Sequence, residues 1–389
     1  MGSSKIKLLF KFLILLFVVN SSANEFQKFK KEQQKEFKEF KQTIDTEFEN
    51  YQIAHKEALS EFNKELNRKW PTKNGKAEIS TKQKFVQYDK NLNTKKVINY
   101  KKQTISLEVI AKNQQEAKLK IEKLFNTLLI EDVKTAYKKD ILENKIAKKL
   151  KKKQAPIKSN QKLIADIITK QDQKQMKEEL KKQNLIIVKH KGNFFYKANI
   201  KMPPNSTIKK AKTFKKFVVK NANKQQVLPE LVYAIIHSES SFNPMARSYI
   251  PAFGLMQIVP RSAGIDSYQY LYKKRRLLSS NYLYNPEKNI TIGSGYLHIL
   301  YYKYLRKIKD PKSRLYCTIA AYNTGAGNVA RTFIGNTNIN KAALTINKLT
   351  PKEVYTKLMK DLPYQETKKY LKKVNDRIYI YNKLLQKTL

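Results

Sequence analysis

Ile235-Ile236-His237-Ser238-Glu239-Ser240-Ser241-Phe242-Asn243-Pro244 decides the reading of this 389-residue chain. Pro229 suits the first turn of a helix, where its missing N–H costs nothing. Leu231, Val232, Ile235 and Glu239 then recur at steps of three and four, so the glutamate shares a face with aliphatic side chains. Pro244 forbids the helix to continue, which puts Glu239 in its last turn. No other carboxylate follows until Asp266. Burial strips a carboxylate of hydration, and a helix C-terminus carries partial negative charge. Both effects push the pKa of Glu239 upward, the direction a general acid needs near neutral pH. A solvated glutamate at a frayed helix end is the plainer alternative. The surrounding motifs decide against it.

Those motifs are Phe253-Gly254-Leu255-Met256-Gln257-Ile258, Ala321-Tyr322-Asn323-Thr324-Gly325-Ala326-Gly327 and Tyr364-Gln365-Glu366-Thr367-Lys368-Lys369-Tyr370. In content, order and spacing they resemble the lytic transglycosylase domain of glycoside hydrolase family 23, over about 203–376. A weaker likeness, around Trp70 and Phe85-Val86-Gln87, is to the accessory domain of a membrane-bound branch of that family. The resemblance implies a lysozyme-like, mainly helical catalytic domain that cleaves peptidoglycan without water. It implies Glu239 as the catalytic residue, and Ser248, Met256, Gln257, Tyr322, Asn323 and Glu366 as residues that meet the substrate. Core packing is the competing reading for Met256, a turn for Ser248 and a buried, satisfied hydroxyl for Tyr322. Gly254, Gly325 and Gly327 read as backbone requirements rather than contacts. His237, two residues before the glutamate, points elsewhere on the helix and receives no role. The pattern departs from the family at Lys368, where arginine is common, and at Val259-Pro260.

Glycosidases ordinarily flank the scissile bond with two carboxylates. One clear candidate is in keeping with an intramolecular displacement instead. A hydrolase of the same fold and a non-catalytic basic wall-binding protein are the alternatives.

The chain carries 79 Lys and Arg against 32 Asp and Glu, a formal charge of +47. Such an excess favours polyanions and anionic surfaces but says nothing of fold. Nucleic acid is excluded on compartment. Lys5, Lys7 and Lys11, the apolar run Phe12 to Val19 and then Ser21-Ser22-Ala23 follow the order of a signal peptide over 1–23, with an uncleaved N-terminal anchor as the alternative. An exported protein is expected, in the periplasm of a Gram-negative cell, meeting peptidoglycan strands and a membrane surface. The one cysteine, Cys317, forms no disulfide and offers no lipid anchor near the signal; it reads as a small packed residue. His55, His190, His237 and His298 show no ligand spacing, so neither metal nor other cofactor is expected.

Pro203-Pro204-Asn205 is the best boundary. Before it, 24–202 reads as an α+β accessory domain. A Phe-rich helical stripe (Phe26, Phe29, Phe37, Phe40, Ile44, Phe48) runs to about Leu66 and ends at Trp70-Pro71 and Asn74-Gly75. Strands are expected at 84–89, 96–101 and 104–111, helices at 114–150 and 161–182, and a hairpin of 185–190 with 194–201 around Lys191-Gly192-Asn193. After it, 203–389 shows helical patterns and no strand series.

Overall fold

A computed structural model gives the fold and describes residues 3–72 and 77–386. For 3–24, 33, 34, 36 and 37 only helix membership is described, so the expected signal segment and Phe37 lie outside the described side chains, as Asn74-Gly75 lies outside the described residues. Helix α1 spans Ser3–Lys69, and the chain divides within it into two units, Met1–Tyr51 and Gln52–Leu389. In the first unit Phe26 and Phe29, the start of the expected stripe, are exposed. None of the described helices is long and apolar enough to cross a membrane.

The second unit opens on the last turns of α1, where Ala54, Ala58, Phe62, Leu66 and Trp70 recur every four residues and are buried. Trp70 packs its ring on Tyr88 and Phe195, at centroid distances of 5.3 and 4.9 Å, and donates its indole N–H to Leu92 O at 3.0 Å. Burying such a ring stabilises by about 3 kcal/mol or more.

The sheet beneath comprises β1 (Lys84–Tyr88), β2 (Thr94–Asn99), β3 (Thr104–Ile110), β4 (Ile186–His190) and β5 (Asn193–Lys201). All pairs are antiparallel and the order is β1-β2-β3-β5-β4. The three-strand meander and the hairpin follow from local turns. Their union, with Ile105 opposite Ile200, does not.

The expected helix 114–150 is three: α2 (Gln114–Ile130), α3 (Val133–Lys138) and α4 (Ile141–Lys149). Asp132 and Asp140 each accept a first-turn backbone N–H, from Thr135 at 2.8 Å and Glu143 at 3.0 Å, and so restart the helix. The expected helix 161–182 exists only as α5 (Lys170–Lys182), opened by a Thr169–Asp172 capping box. Upstream of it, Leu163, Ile164, Ile167 and Ile168 are buried along a non-α-helical path.

Beyond Met202 isolated β-bridges join Phe253 to Arg247 and Ile258, and the regular elements among the described residues are helices. These are α6 (Ser206–Thr213), α7 (Lys215–Lys224), α8 (Pro229–Ser240), α9 (Ile265–Tyr272), α10 (Ser280–Leu283) and α11 (Pro286–His298). They continue as α12 (Pro311–Thr324), α13 (Ala326–Ile334), α14 (Ile339–Ile346), α15 (Pro351–Asp361) and α16 (Gln365–Gln386). Helix α8 is the core element, packed on α7, α11 and α16. Cys317 is fully buried in α12.

The expected boundary near Met202 falls inside this compact unit. Arg247 is buried and ion-paired with Asp140 and Glu143, and Ser280 donates to Glu143 at 2.8 Å. Lys210 of α6 donates to Lys162 O at 2.6 Å. These contacts join the sheet-bearing region to the helical one.

Candidate active site

Helix α8 stops one residue after Glu239 because the backbone changes hand. Ser241 and Phe242 have φ of 52° and 65°, two left-handed non-glycine residues in succession. Such conformations cost about 1–3 kcal/mol each and persist only where the surroundings hold them. Phe242 supplies the hold: fully buried, it stacks on Phe214 at 6.2 Å and meets Tyr381 edge-on at 6.1 Å. The chain turns away at once, and Glu239 is left on the wall of a cleft of about 790 Å³.

Glu239 is 6% exposed. Loss of hydration raises its pKa, with the nearby charge of Glu366 acting the same way more weakly, while Lys82 and Tyr370 oppose. The hydroxyl of Tyr370 is buried beside it without a hydrogen bond of ordinary geometry. The Glu239 carboxyl is therefore enclosed, its neutral form favoured by burial, and it faces the cleft.

Ser248, Gln257, Tyr322, Asn323 and Glu366 line the same cleft. Gln257 has a φ of 48°, and its Nε2 donates to Gly254 O at 3.0 Å. Its Oε1 is buried without a hydrogen-bond partner among the described residues. Gly254 makes that turn at φ +74°, and a Cβ there would stand 2.3 Å from Leu283 O. Tyr322 donates to Met256 O at 2.9 Å, and Asn323 Oδ1 accepts from Thr367 at 2.7 Å. The Ser248 hydroxyl bonds within its own loop, accepting from Ala252 N at 3.2 Å and donating to Ile250 O. Glu366, in the first turn of α16, is largely exposed.

Met256 corrects the expectation that its side chain meets the substrate. It is fully buried, and its sulfur sits against Gly293, where a Cβ would come within 2.2 Å. Only its carbonyl serves the cleft, by holding Tyr322. His237 bonds Tyr381 at 2.9 Å on another face of α8, and burial pushes its pKa down to about 3.

The sequence missed Lys82. Its ammonium stands 4.0 Å from Glu239 and 3.9 Å from Glu366. It comes from the turn before β1, and nothing local distinguishes it from the many other basic residues.

A Transglycosylase SLT domain model matches residues 216–345. The membrane-bound lytic murein transglycosylase C of Serratia proteamaculans is 34% identical over 303 residues, 75% of this chain and 80% of that one. The chain belongs to the lytic transglycosylase family. Its counterpart in Salmonella arizonae is 34% identical over 310 residues, covering 77% of this chain and 82% of that one. Among solved structures, the 70 kDa soluble lytic transglycosylase of Escherichia coli is 23% identical over 44% of this chain and 24% of that one, at a TM-score of 0.34. In this lytic transglycosylase the matched domain holds Glu239, Ser248, Gln257, Tyr322 and Asn323 but neither Glu366 nor Lys82. The aligned length of 303 residues exceeds the whole of 203–389, so the family likeness takes in part of the sheet-bearing region.

Proposed function

We propose that this chain is a peptidoglycan lytic transglycosylase in which Glu239 serves first as general acid and then as general base. The observation that carries the reading is one enclosed carboxyl, raised in pKa by burial, on the wall of a cleft that also presents Gln257 and Tyr322. Glu239 donates its proton to the oxygen linking N-acetylmuramic acid to N-acetylglucosamine, and the bond from that oxygen to C1 breaks. The carbonyl of the muramic N-acetyl group supports the cationic C1. The Glu239 carboxylate then takes the proton of the C6 hydroxyl as O6 closes on C1. One C–O bond is lost and one formed, no water enters, and the product ends in 1,6-anhydro-muramic acid. An internal nucleophile held in place acts at an effective concentration of about 10⁵ M or more. That is why a second buried carboxylate is not required.

In this reading the unpartnered Oε1 of Gln257 accepts from the sugar, Tyr322 and Asn323 shape the wall beside the reacting ring, and Ser248 contacts the glycan from its loop. Glu366 assists from the rim. We take 24–202 as an accessory region and 203–389 as the catalytic one, working as a joined body from residue 52 onward. The envelope is the site of action, and within it we place the protein in the periplasm. The charge of +47 would draw it to anionic stem peptides and lipid headgroups, an attraction that salt screens.

The test is the mass of the sugar ends released from purified peptidoglycan. Anhydro ends are expected. Reducing ends, heavier by one water, would instead identify a hydrolase.

A further inference from the structure

Every other candidate residue of the cleft lies at or beyond position 239, yet the cation among its described lining residues comes from the sheet-bearing region. Lys82 is delivered by a turn that is fixed twice. Thr81 N donates to Lys84 O at 2.8 Å, and Lys84 N returns a bond to Thr81 Oγ1 at 3.2 Å. The amide of Asn243, fully buried just after α8, donates to Lys82 O at 3.3 Å and Thr81 O at 3.5 Å. The turn that follows the acid therefore also anchors the backbone that carries the lysine. From there the ammonium reaches between the carboxylates of Glu239 and Glu366.

We propose that Lys82 is a positioning residue of the cleft, whose charge stabilises Glu239 as the carboxylate during the second half of the reaction. This rests on the acid-then-base reading of Glu239 given above. A group that must give up a proton and then recover one works best when neither form is too costly. Burial alone overstabilises the neutral acid. The groups facing Glu239 are Lys82 from the turn before β1, Glu366 and Tyr370 from α16, and Tyr322 from α12; Arg377 of α16 acts on Tyr370 in turn. The two phenols are themselves held protonated by burial and by the glutamate, and Glu366 repels the charge that forms. Lys82 is the positive charge among these and the larger influence that offsets both, with the Tyr370 hydroxyl acting the same way more weakly. At 41% exposure its side chain is free to be replaced without opening the core.

The experiment is the pH dependence of kcat/KM on soluble glycan strands for wild type, Lys82→Met, Lys82→Arg and Glu239→Gln, with thermal midpoints as a folding control. Lys82→Met should fold like wild type and lose about threefold to tenfold at its optimum. Its alkaline limb should move to higher pH, so that well above the wild-type midpoint it keeps about threefold more of its own maximum. Lys82→Arg should restore the wild-type limb. An alkaline limb that stays put in Lys82→Met, whatever the overall loss, overturns the proposal while leaving the function intact. Should Glu239→Gln itself stay within a few-fold of wild type, the acid–base reading fails, and the role of Lys82 fails with it.

Discussion

Glu143 and Glu239 are both buried glutamates, and loss of hydration raises the pKa of each. Glu143 sits where the sheet-bearing region meets the helices. Arg247 faces it at 3.8 Å, Ser280 donates to it at 2.8 Å and Tyr284 at 3.5 Å. Glu239 has sparser company: Lys82 stands at 4.0 Å, and the Tyr370 hydroxyl beside it makes no hydrogen bond of ordinary geometry among the described residues. A raised pKa thus accompanies enclosure in both places and does not by itself single out a catalytic candidate. The difference lies in what meets the oxygens. At Glu143 the protein supplies the partners, and the carboxylate acts as a rivet. At Glu239 the contacts are looser, and the carboxyl stays open to whatever fills the cleft.

This contrast is broken most directly by Glu239→Gln. Activity should fall by about 10³-fold or more, as expected for loss of a general acid, while thermal stability holds or rises. The sign follows from linkage. The folded carboxyl keeps its proton where the unfolded one, with an ordinary value of 4.5, has lost it. Wild-type stability from this group therefore declines as pH climbs above that value through the raised one, and glutamine has no such decline. A clear fall in thermal midpoint would mean that Glu239 is structural after all.

Arg247→Met should do the reverse. It strands Asp140 and Glu143 without their shared counter-charge and should cost about 3–5 kcal/mol in urea unfolding. What folded enzyme remains should still yield anhydro ends. Gly254→Ala comes next, at about 2–3 kcal/mol, because a left-handed φ and a Cβ against Leu283 O are both unfavourable. It should also lower turnover by displacing Gln257, which a muropeptide assay at low temperature would register. A further effect, on stability and not on the chemistry, is acid sensitivity. His237 is held neutral with its pKa down at about 3, against an ordinary 6.5. Its contribution is complete above 6.5 and is lost as pH falls toward 3. Urea midpoints measured from pH 7 down to 4 should decline, and His237→Gln should flatten that slope.

Much of the site is legible in the order of residues alone. The helix around Glu239, its stop, the glycine turn at 254 and the Tyr322-Asn323 pair are each fixed by a few neighbouring residues. The strands and the hairpin are readable for the same reason. The long helices are overdrawn because Asp132 and Asp140 look like ordinary polar helix residues, and only their side-chain geometry shows that they cap. Met256 is misplaced because a motif gives order along the chain and not which way a side chain turns.

By itself, then, the sequence determined the candidate glutamate at the end of α8, the local turns around it and the family. The family rests on the resemblance of motifs taken in order along the chain, and the helix with its stop rests on periodicity and proline, which act over a few residues. Only the tertiary structure decided that Lys82 enters the cleft, that Arg247 is buried against Asp140 and Glu143, and that the two sheet segments become one. Those pairings join residues such as Lys82 and Asn243, 161 positions apart. A contact of that span is set by how whole elements pack, and in a chain with 79 basic residues no local pattern marks the one that packing will place beside the acid.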